Sequence, residues 1–459
     1  MLDANGTPAA PDPVSRVSGA AGVVRQDSGH DDAVRRSDLD GGVRLVTEAV
    51  PSVRSVALGI WIGIGSVDEG PEQAGAAHYL EHLLFKGTGR RTASEIAEEM
   101  DGRGGEVNAF TAKEHTCYYA HVLDSDVALA VDVLADVVTN AELAPPDVEL
   151  ERGVVLEEIS MRDDDPEDLL GELFDRTLFG DHPLGRPVIG SEESIRAMSR
   201  DTLHAFWRGE YTTPRMVVAA AGNLDHDRIA ELVTDALGPA AAAHAGRDSE
   251  PPRAAHASRP GRTEALTVYP DESEQAHVML GVPGPGRHEP GRATLAVLNT
   301  ALGGGLSSRL FQQVREQRGL AYQVYSSQVR YADAGALSVY AGCAPERLGE
   351  VVAVVRDVLG EVAGHGLSEA EVVRAQGSLR GAMVLGLEDT ASRMTRIGRS
   401  ELDHGRQRSL SESLARIEAV TPADVAVVAS ELLARPLTAA VVGPYDGVDD
   451  LPAPLRDLS

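Results

Sequence analysis

Apolar residues along the first half of the chain change their spacing repeatedly, and each change marks a predicted element. Residues 55–65 form a nearly continuous apolar run, which is typical of a buried central strand. Further strands are predicted at residues 43–47 and 216–222, with a hairpin at 106–122. Helical spacing predicts helices near 78–86 and at 93–100, 127–139, 147–162, 194–207 and 225–237, and residues 172–190 are loop-like.

The same order of elements repeats, at a distance, in the second half. A strand at 276–284 takes the place of the apolar strand, a helix at 293–302 follows it, and the unit ends with a strand at 439–443. We therefore predict an α+β protein with two homologous α/β-sandwich-like domains, each a mixed or antiparallel sheet with helices packed on it. Their bounds are 39–240 and 263–450, with a linker at 241–262 and tails at 1–38 and 451–459.

The amino-acid composition limits which binding partners and which cellular compartment suit this chain. The 459 residues include 71 acidic and 42 basic side chains, a formal charge of −29, which repels nucleic acid and anionic membranes. No run approaches the roughly 18 apolar residues of a membrane span. The first 38 residues resemble a disordered tail with no targeting segment, so we expect a cytoplasmic protein. Cys117 and Cys343 are too few for a disulfide scaffold and favour buried free thiols.

His78, Glu81 and His82 form a His-x-x-Glu-His motif in the first predicted helix. At about 100° per residue the two histidines lie roughly 40° apart, and Glu81 lies one turn beyond His78. Two neutral imidazoles can bind zinc, which lowers the pKa of its water to about 7, and the carboxylate can take the water proton. A three-position pattern also arises by chance, so the motif alone leaves two surface histidines as the alternative.

The long helix predicted at 147–162 offers a further ligand. Glu151 and Glu158 are seven residues apart, so they face the same way within roughly 20°. Either could complete a three-ligand site, although an exposed acidic face is the common explanation in so acidic a chain. The corresponding positions of the second domain hold Leu295, Leu298 and Asn299. Only the first domain therefore carries metal chemistry.

Taken together, these motifs resemble those of the pitrilysin family of zinc metallopeptidases, the inverzincins. Within that family the chain is most similar to the bacterial relatives of the mitochondrial processing peptidase β subunit. The resemblance covers about residues 43–443. The resemblance rests on five segments, residues 78–88, 108–111, 151–158, 182–187 and 306–322.

The resemblance implies roles for individual residues. It makes His78, His82 and Glu158 the ligands of one zinc ion per chain, and Glu81 the general base that activates the metal-bound water. Glu151 matches an additional carboxylate on the second helix, which we expect to orient a ligand.

Four further residues are expected to bind the substrate. Asn108 and Ala109 match an edge strand along which a peptide pairs its backbone. Arg315 and Tyr322 match a pair in the second domain that holds the substrate where negative charge develops. In this family two halves close like a clamshell around a chamber, so the resemblance implies a homodimer whose active sites are completed by the opposite chain.

The sequence therefore predicts a zinc endopeptidase acting on peptides or unfolded segments inside a closed chamber. Two alternatives remain open at this point. One is a non-catalytic structural or partner subunit, since relatives exist that keep the fold and lose the metal. The other is zinc-dependent chemistry on a non-peptide substrate.

Overall fold

The computed structural model describes residues 24–25, 33–254, 260–261 and 264–458, and this part of the chain forms two β-sheets. The strands are β1 Val24–Arg25, β2 Val34–Asp38, β3 Arg44–Ala49, β4 Ser55–Ile62, β5 Glu106–Thr111, β6 Thr116–Leu123, β7 Met216–Gly222, β8 Leu266–Pro270, β9 Ala276–Gly284, β10 Ala321–Arg330, β11 Gly335–Cys343 and β12 Thr438–Gly443. The helices are α1 Ala76–Leu84, α2 Ala93–Asp101, α3 Val127–Asn140, α4 Pro145–Asp163, α5 Pro166–Phe179, α6 Glu192–Ala197, α7 Arg200–Glu210, α8 His226–Ala242, α9 Arg292–Gly303, α10 Leu348–His365, α11 Glu369–Gly386, α12 Thr390–His404, α13 Leu410–Glu418, α14 Pro422–Leu433 and α15 Ala453–Arg456. Phe311–Glu316 is a π-helical segment.

The first sheet has the strand order β1-β2-β3-β7-β4-β6-β5. β3 and β7 are parallel, and the other neighbours are antiparallel. Its central strands β4 and β7 are buried almost throughout, because helices cover both faces of the sheet. β5 is an edge strand and has no strand partner on its outer side within the described residues.

The second sheet has the order β10-β11-β9-β12-β8, with β12 and β8 parallel and the rest antiparallel. Each half of the chain thus places helices on a mixed sheet, and the predicted fold class is confirmed. The predicted correspondence between the halves is visible at the helix that follows the apolar strand. Both α1 and α9 begin at a left-handed glycine, Gly75 with φ 91° and Gly291 with φ 86°.

The two halves exchange helices. α12, from the second half, lies on the outer face of the first sheet, where Met394 and Ile397 pack with Trp61. α5, from the first half, lies on the outer face of the second sheet, where Phe174 packs with Val442. Each sheet therefore has one face buried by helices of its own half and the other by a helix of the opposite half.

Buried charge fastens α12 to the first half. Glu401 is fully buried and forms ion pairs with Arg36 at 2.9 Å and Arg44 at 3.7 Å. Glu48 on β3 pairs with Arg396 of α12 at 3.0 Å. A buried carboxylate without its cation is strongly destabilising, so these pairs fix where α12 docks.

Several helices differ from the sequence-based assignments. Residues 172–190 were expected to be a loop, but α5 extends to Phe179, because its apolar residues pack against the second sheet. The single helix expected at 194–207 is divided into α6 and α7, and Ser199 caps the start of α7 through the Thr202 N–H. The pattern did not predict α12 and α13.

The ends and the linker also differ. The tail expected to be disordered up to residue 38 is ordered at its end, where β2 pairs with β3. Residues 1–23 and 26–32 lie outside the described residues. The expected tail at 451–459 contributes Leu451, Leu455 and Leu458 to the second core. In the expected linker α8 continues to Ala242, and residues 255–259 and 262–263 lie outside the described residues.

No helix in the described ranges combines the length and the apolar character needed to cross a membrane.

The contact between α12 and Trp61 gives a test of the helix exchange. A Cβ at Gly398 would lie 2.8 Å from Trp61 Cε2, and Trp61 is fully buried and cannot move aside. We expect Gly398→Ala to lower the free energy of unfolding by about 1–3 kcal/mol through overpacking, measured by denaturant titration. Gly377→Ala is the control, because that helical glycine has nothing within 4 Å, and it should be neutral or stabilising by about 1 kcal/mol. Equal stability of the two variants would contradict the tight packing of α12.

Candidate metal centre

α1 carries the His-x-x-Glu-His motif and is anchored on its apolar face. Tyr79, Leu80, Leu83 and Leu84 are fully buried in the first core. The Glu69 carboxyl group accepts hydrogen bonds from the N–H groups of Gly75 and Ala77, both at 2.8 Å, and so satisfies the first turn of the helix. His78, Glu81 and His82 remain on the adjoining, partly exposed face.

α4 packs against α1 and brings the two predicted carboxylates to it. α4 begins with Pro145, and its buried face consists of Val148, Glu151, Val155 and Ile159. The Tyr79 hydroxyl donates a hydrogen bond to the Val148 carbonyl oxygen, which fixes the two helices together near the start of α4. Glu151 and Glu158 therefore both face α1, as their seven-residue spacing predicts.

His78, His82 and Glu158 lie together, with one donor atom from each within 4.8 Å of the others. Glu158 Oε2 is 3.7 Å from His78 Nε2 and 3.5 Å from His82 Nε2. Burial, and secondarily the neighbouring His82, lowers the pKa of His78 to about 4, so this imidazole is neutral at physiological pH. A neutral imidazole is the form that binds metal.

Glu151 lies behind the histidine pair. Its Oε2 is 3.1 Å from His82 Nδ1, and its Oε1 is 2.7 Å from Lys86 Nζ. When Nδ1–H donates to Glu151, the lone pair of His82 is left on Nε2, on the side of Glu158. Glu151 is buried, and Lys86 supplies the positive charge that makes its burial tolerable.

Glu81 is held between α1 and the edge strand β5. The Thr111 hydroxyl donates to Glu81 Oε2 at 2.6 Å. Burial is the largest influence on this carboxyl group and raises the pKa of Glu81 above its ordinary value, although the Thr111 hydrogen bond opposes the shift. A glutamate in this position can both accept and return a proton.

The remaining predicted residues occupy two other places. Asn108 and Ala109 lie on β5, the same edge strand that holds Thr111. Arg315 lies in the π-helical segment of the second half, and its guanidinium stacks 4.8 Å from the ring of Tyr322 on β10. Within the described residues, no hydrogen bond or ion pair links Arg315 or Tyr322 to the histidine pair of the same chain.

Sequence reasoning missed three residues that shape the centre, namely Glu69, Lys86 and Thr111. Lys86 and Thr111 belong to segments that carried the family resemblance, but neither was given a role. Lys86 follows His82 by four residues, so a search for a cation near Glu151 could have found it. Glu69 gives no signal in the sequence, because it reaches the start of α1 from a preceding loop.

The three donors fit a divalent metal ion. Glu158 Oε2 is buried and has no hydrogen-bond partner among the described residues, although it faces two imidazole nitrogens. Buried carboxylate oxygens normally have a hydrogen-bond partner. A cation placed here would interact with this oxygen and with the lone pairs of the two imidazole nitrogens. Two imidazoles and one carboxylate are a donor set that suits zinc.

The fold and this centre define a class, namely a protein of two corresponding α/β units in which, among the described residues, the first unit carries the one metal-type donor set. Comparison with known proteins gives the family. Residues 44–192 match the family model described as Insulinase (Peptidase family M16), and residues 197–379 match the one described as Peptidase M16 inactive domain. The chain belongs to peptidase family M16, and the resemblance to the pitrilysin family is confirmed.

Relatives match along nearly the whole chain. An uncharacterised zinc protease of Mycobacterium leprae is 56% identical over 95% of this chain and 98% of its own length. An uncharacterised zinc protease of Bacillus subtilis is 39% identical over 90% of this chain and 98% of its own.

Solved structures share the fold at low identity. A protease from Helicobacter pylori superimposes with a TM-score of 0.82 at 20% identity, covering 90% of this chain and 99% of that one. A peptidase M16 inactive domain from Pseudomonas fluorescens gives a TM-score of 0.81 at 20% identity, covering 90% and 98%.

Proposed function

We propose that this protein is a zinc endopeptidase that hydrolyses peptides or unfolded polypeptide segments. The observation that carries the proposal is the meeting of His78, His82 and Glu158 beside Glu81. These three residues would hold one zinc ion per chain. When bound, zinc polarises the carbonyl of the bond to be cleaved and makes water more acidic.

Glu81 would serve as the general base. It would accept the proton of the attacking water, which is easier because burial raises its pKa, and then pass that proton to the leaving amine. Thr111 keeps the carboxyl group oriented through its hydrogen bond. Glu151 would keep the His82 ring in the required orientation and tautomer, with Lys86 balancing its charge.

The substrate would bind as an added strand along β5. Asn108 and Ala109 lie on this strand, whose outer edge is unpaired within the described residues. The same strand carries Thr111, so a peptide paired to β5 would pass beside Glu81. Because pairing needs free backbone groups, folded proteins should be poor substrates.

We further propose that two copies close into a chamber, each supplying Arg315 and Tyr322 to the centre of the other. The Tyr322 ring is 79% exposed and stacks against the Arg315 guanidinium, so the pair is presented outward. A guanidinium and a phenol in that place would stabilise the negative charge that develops on the carbonyl oxygen. Leu306 is 72% exposed in the loop before the same segment, as an interface residue would be.

We also place the protein in the cytoplasm, a proposal supported by its two cysteines, Cys117 and Cys343, which are both buried and free. The alternative function is a non-catalytic structural or partner subunit. It is favoured by the match of residues 197–379 to an inactive domain, whereas the complete donor set in the first half favours an enzyme.

Metal analysis tests the ligand set. We expect the purified protein to contain about one zinc per chain and Glu158→Gln to lose it, because the variant lacks one of three protein ligands. Glu151→Gln should retain zinc but bind it about 10–100-fold more weakly, measured by competition with a chelator. Glu157→Gln, an exposed neighbour on α4, is the control and should bind like the original protein. Zinc binding unchanged in Glu158→Gln would show that the ligand set is wrong.

Cleavage of a mixed peptide pool tests the base. We expect Glu81→Gln to keep zinc and to lose at least about 100-fold in kcat, since it cannot take a proton. Glu157→Gln should cleave normally. If the original protein contained zinc and cleaved none of the peptides, the non-catalytic alternative would be favoured. Normal cleavage by Glu81→Gln would exclude Glu81 as the base.

Mixing two inactive variants tests whether the opposite chain completes each site. Glu81→Gln and Arg315→Ala should each be inactive alone. In an equal mixture of dissociated and reassociated chains, half of the dimers are mixed, and each has one intact site. About a quarter of the original activity should therefore return. If Arg315 acts within its own chain, no activity will return.

A further inference from the structure

A second concave site lies in the second half. A cavity of about 810 Å³ opens where the loop after β9, the start of α9, the end of α12, and helices α13 and α14 meet. Its basic lining residues are Arg287, Arg292, Arg406, Arg408 and Arg416. Five arginines around one cavity contrast with the net charge of −29 of the whole chain.

Part of this positive charge forms no ion pair within the described residues, although the carboxylate of Asp403 acts on Arg292 from nearby. Arg408 and Arg416 share one carboxylate, Glu412, at 3.9 and 3.6 Å. Arg292 bonds to the ring nitrogen Nε2 of His404 at 3.2 Å. Within the described residues, neither Arg292 nor Arg406 forms an ion pair.

The two acidic lining residues, Glu289 and Asp424, accept hydrogen bonds from neutral groups of the protein. Glu289 accepts a hydrogen bond from the Gly286 N–H at 2.9 Å. Asp424 caps α14 by accepting from the N–H and hydroxyl of Thr421. The positive charge of Arg287 is balanced within the protein, because its guanidinium forms ion pairs with Glu114 and Asp403.

The arginines also act on one another. Burial and then the charges of Arg416 and Arg406 lower the pKa of Arg408. Burial and then Arg292 and Arg408 lower the pKa of His404 to about 4. The Nε atom of Arg408 is buried and makes no hydrogen bond within the described residues. The cavity thus holds cationic groups at an electrostatic cost that an anion would remove.

The start of α9 opens onto the same cavity. Gly291, Arg292, Ala293 and Thr294 line it, and within the described residues no side chain is seen to accept a hydrogen bond from the first N–H groups of the helix. At the corresponding α1, the carboxyl group of Glu69, six residues before Gly75, fills that role. Six residues before Gly291 the chain has Pro285, whose side chain has no hydrogen-bond acceptor. As far as the described residues show, the second half therefore has unpaired N–H donors where the first half has its own carboxyl group.

We propose that this cavity binds a small molecule bearing a polyphosphate chain, whose oxygens occupy at α9 the place that the Glu69 carboxyl group occupies at α1. Guanidinium groups pair with phosphate oxygens through two parallel hydrogen bonds, and the volume exceeds what a single phosphate fills. The ligand is either an inorganic polyphosphate or a nucleoside polyphosphate. This site is independent of the proposed zinc centre.

Ligand binding should hold the two halves together. The cavity takes His404 and Arg406 from the end of α12, which covers the first sheet, and Arg292 and Arg416 from helices of the second half. At a tripolyphosphate concentration about 100 times its Kd, we expect the melting temperature of the full chain to rise by about 3 °C. ATP, AMP and citrate, tested beside tripolyphosphate, distinguish a nucleotide, a single phosphate and a carboxylate anion.

Charge reversal tests the cavity itself. Arg292→Glu and Arg406→Glu remove no ion pair seen in the described part of the chain, so both should fold. Each should weaken tripolyphosphate binding at least about tenfold in titration calorimetry, through loss of charge-assisted hydrogen bonds. The control is Arg228→Glu, the same charge change at an exposed side chain in the first turn of α8, and this variant should bind normally. Equal weakening in all three variants, no binding of tripolyphosphate or ATP, or equal affinity for citrate would overturn the proposal.

Discussion

The packing of α4 against α1 is the interaction on which the centre depends. Three donors come from two helices about seventy residues apart in sequence, so their meeting is a property of the helix contact. Tyr79 secures that contact from the buried side, while Glu151 reaches His82 from within it. A shift of α4 along its axis by one residue would move Glu158 away by about 1.5 Å and leave Glu151 buried without its partners. Metal binding and the packing of the first core are therefore parts of one arrangement.

The two halves share one geometry at the helix that follows the apolar strand, but each half leaves a different part of that helix exposed. α1 and α9 start at equivalent left-handed glycines and pack on equivalent sheets. In α1 the carboxyl group of Glu69 accepts hydrogen bonds from N–H groups at the start of the helix, and the partly exposed face carries the histidines. Counted from these glycines, the positions of α9 that correspond to His78, Glu81 and His82 hold Thr294, Val297 and Leu298, and none of these side chains is a metal ligand of that type. In α9 it is the start of the helix that faces the cavity. A copy that loses its metal ligands can keep a polar end that is able to take on another role.

Much of this was predictable from the sequence, for identifiable reasons. The apolar runs of β4 and β7, and the helical spacing of α1 and α3, are strong because each of these elements buries a wide face in one core. The grouping of His78, His82 and Glu158 followed from spacing and family resemblance together. α12 was not predictable, because its buried face includes Gly398 and the charged Glu401, which a search for apolar periodicity cannot distinguish from a solvated surface. The length of α5 was missed for a related reason, since the sheet it covers belongs to the other half and lies far away in sequence.

The exchange of α5 and α12 also has a consequence for biosynthesis. The strands of the first sheet are complete once Gly222 has been made, but the helix that covers its outer face begins only at Thr390. At about 5–20 residues per second, the ribosome needs of the order of ten seconds to cross that interval. During this time Trp61, Val217 and Ala219 have no cover, and the nascent chain presents an apolar sheet face to the cell. We therefore expect this protein to depend on chaperones during translation more than its finished, highly charged surface suggests.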